Sequence, residues 1–312
     1  MVLHVSNMKY ELNNELLNLS RAKVPLNVHL FPIVNAFLKL HKCVSDNRVN
    51  VKTVNIPTED GSMLKSYLIE PRENTGTLPC IVFYHGGGYL LRASKSHYQI
   101  AKMYADYTPC KVIFADYRLM PKYRFPIAVN DCYDTYKWVI ANAEALGIDK
   151  NKIIVTGDSA GANASAAVSM MLCDNEQTLP IGAMLIYPVL DRRMITDSMK
   201  KYIDTPVWDA VRNRMFWREY LRNKVTVPIK YASPMEAISL KGFPKTYIEV
   251  AEFDCLHDEG VLFAKRLQAE NIPVEYYEMK GTCHGYDEAF ESVLVNDAVK
   301  RRVKWIQSVF DP

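Results

Sequence analysis

One serine stands between two glycines where a run of strand-forming residues gives way to a helical pattern. The stretch reads IIVTGDSAGAN over residues 153–163, and its G-x-S-x-G pattern is centred on Ser159. In a tight strand-to-helix turn of this kind the glycines permit close packing, the hydroxyl is lifted clear of the sheet, and the helix N-terminus favours developing negative charge. A glycine-rich turn without chemistry would look the same, so a nucleophilic role for Ser159 depends on partners elsewhere. Asp158 has no role that the sequence indicates.

Three consecutive glycines occur earlier, in the segment FYHGGGYL at residues 83–90. Backbone amides in such a loop can approach a ligand closely. Phosphate binding is the rival role, but neither Gly-Lys-Ser/Thr nor G-x-G-x-x-G is present. The loop instead has the form of one wall of an oxyanion hole. We expect a loop amide and the Ala160 amide to hold the oxyanion of a tetrahedral intermediate, with His85 and Gly86 supporting the loop.

A serine hydroxyl needs a general base, and the sequence contains seven histidines. In folds with this serine motif the histidine lies on a loop after the last strand. His284 fits, because it follows a strand-like run and precedes a glycine and a helical pattern. His257 comes too early. The other histidines lie in the N-terminal helical region, before the glycines or at the start of a helix: His4, His29, His41, His85 and His97.

The acid that orients the histidine should follow the preceding strand. Asp254 lies just beyond that strand, where a loop carboxylate can reach the imidazole. Its role would be to fix the tautomer and to stabilise the imidazolium. Glu252, Asp258 and Glu259 are the alternatives, although Asp258 and Glu259 resemble the acidic first turn of the next helix.

Strand-like and helical segments alternate from Cys80 onward, which predicts an α/β fold whose mostly parallel sheet is covered by helices on both faces. The strand-like runs are 80–84, 111–115, 152–156, 181–187, 245–250 and 274–278. The helical patterns are 95–107, 127–146, 160–174, 258–270 and 288–309. Upstream, residues 49–71 predict a hairpin around the turn at 59–61, and residues 9–45 have helical spacing with a break near Pro25.

Residues 191–231 interrupt this alternation, because they contain no strand-like run. They carry Trp208, Phe216, Trp217 and Tyr220 among many charges, and their pattern is helical. An insertion of this length between two strands is typical of a lid or a small subdomain.

The composition is that of an ordinary globular protein. The chain has 312 residues, 49% of them hydrophobic and 23% charged, with a net charge of +3. These values exclude a disordered chain, and so mild a charge argues against a nucleic-acid partner. Seven cysteines without a C-x-x-C pair argue against a zinc ribbon, a redox motif or a secreted disulfide framework.

The N-terminus shows no basic region followed by an apolar core, so we predict no signal peptide. No stretch approaches about 18 consecutive apolar residues, so we predict no membrane span. The expectation is a soluble cytoplasmic protein whose oligomeric state is open, with a dimer among the options.

Three segments together resemble the hormone-sensitive-lipase-like branch of the α/β-hydrolases, also called bacterial esterase family IV. They are HGGG at 85–88, GDSAG at 157–161 and DCLHDE at 254–259. Further similar stretches are DYRLMPKYRFPIAVND at 116–131, YPVLD at 187–191, ASPM at 232–235 and CHGY at 283–286. The resemblance covers roughly residues 50–310.

The resemblance implies an α/β-hydrolase fold and a serine carboxylesterase acting on small to medium acyl esters, without metal or cofactor. It assigns Ser159 as nucleophile, His284 as base and Asp254 as acid. The oxyanion amides would be those of Gly87, Gly88 and Ala160. The catalytic core would comprise residues 48–190 and 232–312, and a helical cap would comprise residues 1–47 and 191–231.

The chain departs from the family pattern at three positions. Cys255 replaces a proline, Ala162 a glycine and Tyr286 a phenylalanine, and none of these removes a reacting group. Cys255 and Cys283 each adjoin a triad member. We interpret them as two unrelated buried residues, with a disulfide as the alternative.

The partner would be a small-molecule ester. Tyr89, Trp208 and Phe216 are candidate substrate contacts, although the tryptophan and phenylalanine could equally form the core of the cap, as we expect for Trp217. Because the cap is compact, we favour small esters over long-chain lipids. Deacetylation of carbohydrates or small molecules and acyl transfer would use the same triad. A non-catalytic ligand receptor is a further alternative, but such receptors in this branch lack the histidine.

Overall fold

The computed structural model describes residues 9–73 and 76–311. Residues 1–8, which include His4 and the start of the predicted cap, lie outside the described residues. An eight-stranded sheet organises the chain in the order β1-β2-β4-β3-β5-β6-β7-β8. The strands are β1 (Val49–Pro57), β2 (Met63–Pro71), β3 (Leu78–Tyr84), β4 (Lys111–Ala115), β5 (Ile148–Asp158), β6 (Gly182–Ile186), β7 (Lys245–Phe253) and β8 (Val274–Cys283).

Most neighbouring strands run parallel, as the alternation predicts. The six strands from β3 to β8 pair in parallel, whereas β2 runs antiparallel to both β1 and β4. The predicted hairpin is confirmed, with Pro57 opposite Met63 across its turn. Because β3 to β8 are parallel, their carboxyl ends lie at one edge of the sheet, where an open α/β sheet binds its ligands.

Helices cover both faces of the sheet. They are α1 (Phe31–Leu38), α2 (Lys95–Tyr107), α3 (Ile127–Ala141), α4 (Ala143–Leu146), α5 (Ala160–Asp174), α6 (Asp197–Lys201), α7 (Ala210–Tyr220), α8 (His257–Ala269) and α9 (Val293–Phe310). Buried residues of α3, α5 and α8 form one core cluster, and those of α2 and α9 form the other. The predicted α/β-hydrolase architecture is therefore confirmed.

Local signals explain where the elements differ from the predicted bounds. The helical spacing at 9–45 produces only α1 and two short 3-10 turns, at Asn14–Leu19 and Val28–Leu30. The side chains of Asn13 and Asn27 accept backbone hydrogen bonds at the start of these turns, which favours a new turn over a continuous helix.

The last helix begins later than its periodicity predicts. Ser292 caps α9 by accepting a hydrogen bond from the Val295 amide, and the preceding residues, Tyr286–Ala289, form a separate 3-10 turn. Strand β8 continues to Cys283, well beyond the predicted run at 274–278, so His284 follows the strand directly.

The long segment between β6 and β7 contains α6, α7 and a 3-10 turn at Ile229–Tyr231. Within residues 191–231, all of which are described, no strand joins the sheet. Among the residues that the structure describes, none of the helices is long and apolar enough to cross a membrane.

Candidate active site

Four parallel strands end immediately before residues that the sequence singled out. His85 follows β3, Ser159 follows β5, Asp254 follows β7 and His284 follows β8. Since these strands end at the same edge of the sheet, residues far apart in sequence are brought together there. The position of each polar side chain is thus determined by where a buried apolar strand stops.

Ser159 occupies the predicted strand-to-helix turn in a strained backbone conformation, with φ +52° and ψ −114°. A Cβ atom at Gly161 would lie 1.9 Å from the Tyr84 carbonyl oxygen, and one at Gly157 would lie 2.3 Å from the same atom. Only glycine fits at both positions, so β3 can pack against the turn. The Ser159 amide donates to the Ile186 carbonyl at 2.8 Å, which holds the turn against β6.

Ser159, His284 and Asp254 form a continuous hydrogen-bonded chain. Ser159 Oγ lies 2.8 Å from His284 Nε2, and His284 Nδ1 lies 2.7 Å from Asp254 Oδ2. The Leu256 amide donates to the other oxygen of Asp254 at 2.9 Å. All three side chains of this chain are buried, so the contacts form away from bulk water.

The glycine loop lies beside the serine. Gly87 and Gly88 have φ values of +104° and +63°, which glycine adopts without strain. Both line the same cavity as Ser159 and His284. Ala160 begins α5, so its amide lies at the N-terminus of that helix, next to Ser159.

His85 packs beneath the loop as a fully buried ring. It stacks on Tyr117 with a centroid distance of 4.4 Å, and its Nδ1 lies 2.7 Å from the Gly86 carbonyl oxygen. Burial lowers the pKa of His85 to about 3, so the ring is neutral near neutral pH and Nδ1–H can donate to that carbonyl. His85 therefore contacts the glycine loop and the Tyr117 ring beneath it, as a residue that supports the loop would.

Asp158, for which the sequence indicated no role, binds the glycine loop. Its Oδ1 accepts a hydrogen bond from the Gly86 amide at 2.9 Å, and its Oδ2 lies 3.2 Å from His97 Nε2. Burial alone would raise the pKa of Asp158, but His97 and the Gly86 amide hold it below its usual range. Asp158 therefore remains a carboxylate that joins the end of β5 to the loop.

His97 is the second residue that the sequence analysis missed at this site. Burial alone would lower its pKa, but the Asp158 carboxylate raises the pKa of His97 to about 9. Its Nδ1 lies 2.6 Å from Ser94 Oγ at the start of α2. The available signal was a histidine in the first turn of the helix that follows the glycine loop.

A cavity of about 270 Å³ opens over the serine. Its walls include Val34 and Leu38 from the N-terminal region and Val207 and Trp208 from the insertion. The Trp208 ring lies 6.1 Å from the His284 ring. The structure thus places Trp208, one of the three predicted substrate contacts, on the cavity wall.

Tyr89 and Phe216, the other two candidate contacts, are not among the residues that line this cavity. Tyr89 has a positive φ of 52°, and its ring packs against Tyr220 at 4.8 Å. Its hydroxyl donates to Asn163 Oδ1 at 2.9 Å. Phe216, only 1% exposed, packs on Trp217 at 4.8 Å, so both rings belong to the core beneath α7.

Asn163 explains why Tyr89 points inward. Its amide nitrogen donates to the carbonyls of Val189 and Ala232, each at 2.8 Å. These carbonyls flank the insertion, so one buried asparagine joins both of its ends to the residue that follows the glycine loop.

Cys255 and Cys283 are both buried free thiols.

Comparison with known proteins places the chain in a family. A family model described as the alpha/beta hydrolase fold matches residues 81–288. The arylesterase of Saccharolobus solfataricus is 30% identical over 248 residues, which are 77% of this chain and 76% of the arylesterase. The ethyl acetate hydrolase of Pseudomonas putida is 29% identical over 277 residues, or 84% of this chain and 83% of that enzyme.

The solved structure of a bacterial heroin esterase superimposes with a TM-score of 0.86 at 28% identity, covering 98% of this chain and 100% of that one. The matched region contains the glycine loop, the serine turn and His284. As its motifs predict, the chain belongs to the α/β-hydrolase family.

Proposed function

We propose that this chain is a serine carboxylesterase that hydrolyses small to medium acyl esters through an acyl-enzyme. The observation that carries the proposal is the hydrogen-bonded chain from Ser159 through His284 to Asp254. Its serine and histidine face the cavity, so an ester bound there meets the hydroxyl directly.

In the first half of the reaction, Ser159 Oγ attacks the ester carbonyl while His284 Nε2 takes its proton. Asp254 accepts a hydrogen bond from Nδ1–H and stabilises the imidazolium that forms. The imidazolium then protonates the leaving alcohol. In the second half, His284 activates a water that cleaves the acyl-serine and releases the acid.

Negative charge on the carbonyl oxygen would be held by the amides of Gly87, Gly88 and Ala160. The positive φ values of the two glycines and the position of Ala160 at a helix N-terminus support this assignment. Loss of one such donor typically costs ~3 kcal/mol of transition-state stabilisation. His97 and Asp158 would not contact the ester; they would position the loop through the hydrogen bond of the Gly86 amide to Asp158.

The N-terminal segment and the insertion at 191–231 would form a cap over the core of residues 48–190 and 232–312. Support comes from the cavity, because Leu38 of the first and Trp208 of the second line it together. The two parts also bond to each other: Arg212 Nε donates to the Val24 carbonyl at 2.6 Å. The cap would select the ester, and the core would cleave it.

The preference for small to medium esters rests on the enclosed volume of about 270 Å³, which is below the common size range of drug-like ligand sites. Relatives named arylesterase and ethyl acetate hydrolase agree with it. A receptor without catalysis is disfavoured, because His284 is present and bonded to Ser159. The cytoplasmic location stays a prediction.

A series of p-nitrophenyl esters from acetate to dodecanoate tests the proposal. We expect the wild type to hydrolyse the short esters fastest and Ser159→Ala to be inactive. Ser169→Ala, at a buried serine in the same helix, should stay active. Equal negligible rates for wild type and Ser159→Ala would refute catalysis, and a maximum at dodecanoate would refute the size preference. Added alcohol that diverts the acyl group into a new ester would reveal acyl transfer.

A further inference from the structure

The outer side of α1 exposes large apolar side chains. Leu30, Ile33, Phe37 and Leu40, hereafter the outer stripe, are 44%, 58%, 68% and 74% exposed. Their spacing of three and four residues places them on one side of the helix and its flanking turns. Single exposed apolar residues are normal on a protein surface, but four neighbouring ones form a continuous apolar patch, which is typical of an interaction site.

The opposite side of α1 is also apolar, and there its packing is clear. Phe31 is fully buried, and Val34 and Leu38 line the cavity. Asn35 bridges to the residues after the glycine loop, donating to the Leu90 carbonyl and accepting from the Arg92 amide at 2.8 Å each. A helix that is apolar all round is normally buried, yet only one side of α1 is covered.

Basic residues accompany the outer stripe. From residue 16 to residue 45 the sequence has no aspartate or glutamate, but it has Arg21, Lys23, Lys39 and Lys42. Lys39 and Lys42 are exposed and flank the end of the stripe. Exposed apolar side chains on one face, with lysines beside them, are typical of helices that lie in the interface of an anionic membrane.

We propose that the outer stripe docks on an anionic lipid surface. Ile33 and Phe37 would enter the boundary of the acyl chains, and Lys39 and Lys42 would meet the lipid phosphates. A second copy of the chain suits this surface less well, because a twofold contact on α1 would bring the same basic residues together without an acidic partner.

Docking in this orientation would hold the chain at a surface that concentrates lipid-soluble esters, with α1 between the lipid and the cavity that Val34 and Leu38 line. This consequence for substrate supply rests on the proposed esterase function, whereas the docking itself does not.

Co-sedimentation of the full chain with vesicles tests the docking. We expect binding to vesicles of equal phosphatidylcholine and phosphatidylglycerol, weaker binding to phosphatidylcholine alone, and weakening by salt. Because each lysine near such a surface contributes about fivefold, Lys39→Glu with Lys42→Glu should weaken binding by at least about tenfold. Ile33→Ser with Phe37→Ser should cause a loss of similar size.

Matched controls remove exposed residues elsewhere. Ile238→Ser with Val293→Ser deletes two apolar side chains that are 101% and 65% exposed, and Lys65→Glu with Lys150→Glu makes the same charge change at exposed lysines. Both double variants should bind the mixed vesicles as the wild type does. Thermal unfolding of every variant should match the wild type, which shows that lost binding is not lost folding.

The docking is overturned if the wild type stays in solution with the mixed vesicles, binds phosphatidylcholine equally well, or loses no affinity in the α1 variants. Light scattering that shows a lipid-free dimer, dissociated by Ile33→Ser with Phe37→Ser, would assign the stripe to a second copy and also overturn it. A chain that binds the mixed vesicles but hydrolyses no soluble ester would contradict the proposed function alone.

Discussion

The edge of the sheet that carries the site and the proposed cap above it are held in different ways. At the edge, Ser159, Asp254 and His284 each follow a buried strand directly, and each is buried itself. The proposed cap contacts the loop beside the site through its side chains, such as Asn35 and Tyr220, whose ring stacks on Tyr89. We infer that the sheet fixes the reacting geometry and the cap governs access, so changes at the edge should act on kcat and changes in the cap on KM.

The largest effect should come from removing His284, the proposed base at the edge. His284→Ala leaves the Ser159 hydroxyl without a proton acceptor, so kcat should fall by roughly 10⁶-fold. His257→Ala is the matched control, because His257 pairs with Asp258 outside the proposed triad. Steady-state hydrolysis of p-nitrophenyl acetate measures both. Equal losses in the two variants would remove the distinction that the structure draws between these histidines.

A smaller effect is expected from Asp158, which supports the glycine loop at this edge. Asp158→Asn removes the carboxylate that accepts from the Gly86 amide and faces His97. Loss of one oxyanion donor costs about 10² to 10³ in kcat, so a loop that has lost only its anchor should lose about 10-fold to 100-fold. KM should change little, because Asp158 is not part of the cap.

Asp149→Asn, at a strand residue whose carboxylate accepts from Asn151, is the control for this change. It should leave kcat unaltered. If Asp158→Asn raised KM and left kcat unchanged, the loop would not depend on this carboxylate for its catalytic geometry.

The contact between His97 and Asp158 should also make the stability of the folded chain depend on pH. The pKa of His97 in the folded chain, about 9, lies above its ordinary value of 6.5. Its charge therefore contributes stability that is fully present below about pH 6.5 and is lost as the pH rises through about 9. Thermal unfolding on either side of pH 9 should show this decline in the wild type and a weaker one in Asp158→Asn. An equal loss of thermal stability in both proteins would show that Asp158 does not set the pKa of His97.

The smallest effect should come from the cap. Asn35→Ala removes two hydrogen bonds to the residues after the glycine loop, each contributing about 1 kcal/mol. We expect KM for p-nitrophenyl butyrate to rise about threefold to tenfold at nearly constant kcat. Asn296→Ala, which removes one side-chain bond on α9, should leave KM unchanged. A drop in kcat with Asn35→Ala would mean that the cap shapes the reacting geometry too.

Sequence predicted the edge well, because its signals are local. In the structure, the strands before Ser159, Asp254 and His284 end directly at these residues, and the order of the motifs along the chain was enough to single them out. Sequence could not link Asp158 to His97, which lie 61 residues apart. Their contact depends on the fold bringing the first turn of α2 to the end of β5, and residue spacing along the chain does not report that.

The elements of the N-terminal part of the proposed cap were predicted less well, for a related reason. Helical spacing at 9–45 marks where apolar side chains recur, but asparagine side chains at 13 and 27 start separate turns there. Tyr89 is a candidate substrate contact by its place after the glycines, and the structure shows that its positive φ and its bond to Asn163 direct its ring into the core. Side-chain direction in a loop depends on backbone conformation and on distant partners, which spacing does not report.

The central claim is that Ser159 is the nucleophile of an esterase. Mass spectrometry of the chain after treatment with diethyl p-nitrophenyl phosphate tests it directly, because this reagent phosphorylates an activated serine and releases p-nitrophenol. We expect one diethyl phosphoryl adduct, on the peptide that contains Ser159, and none in Ser159→Ala or His284→Ala. An adduct on another residue, or a fully active chain that carries none, would contradict it.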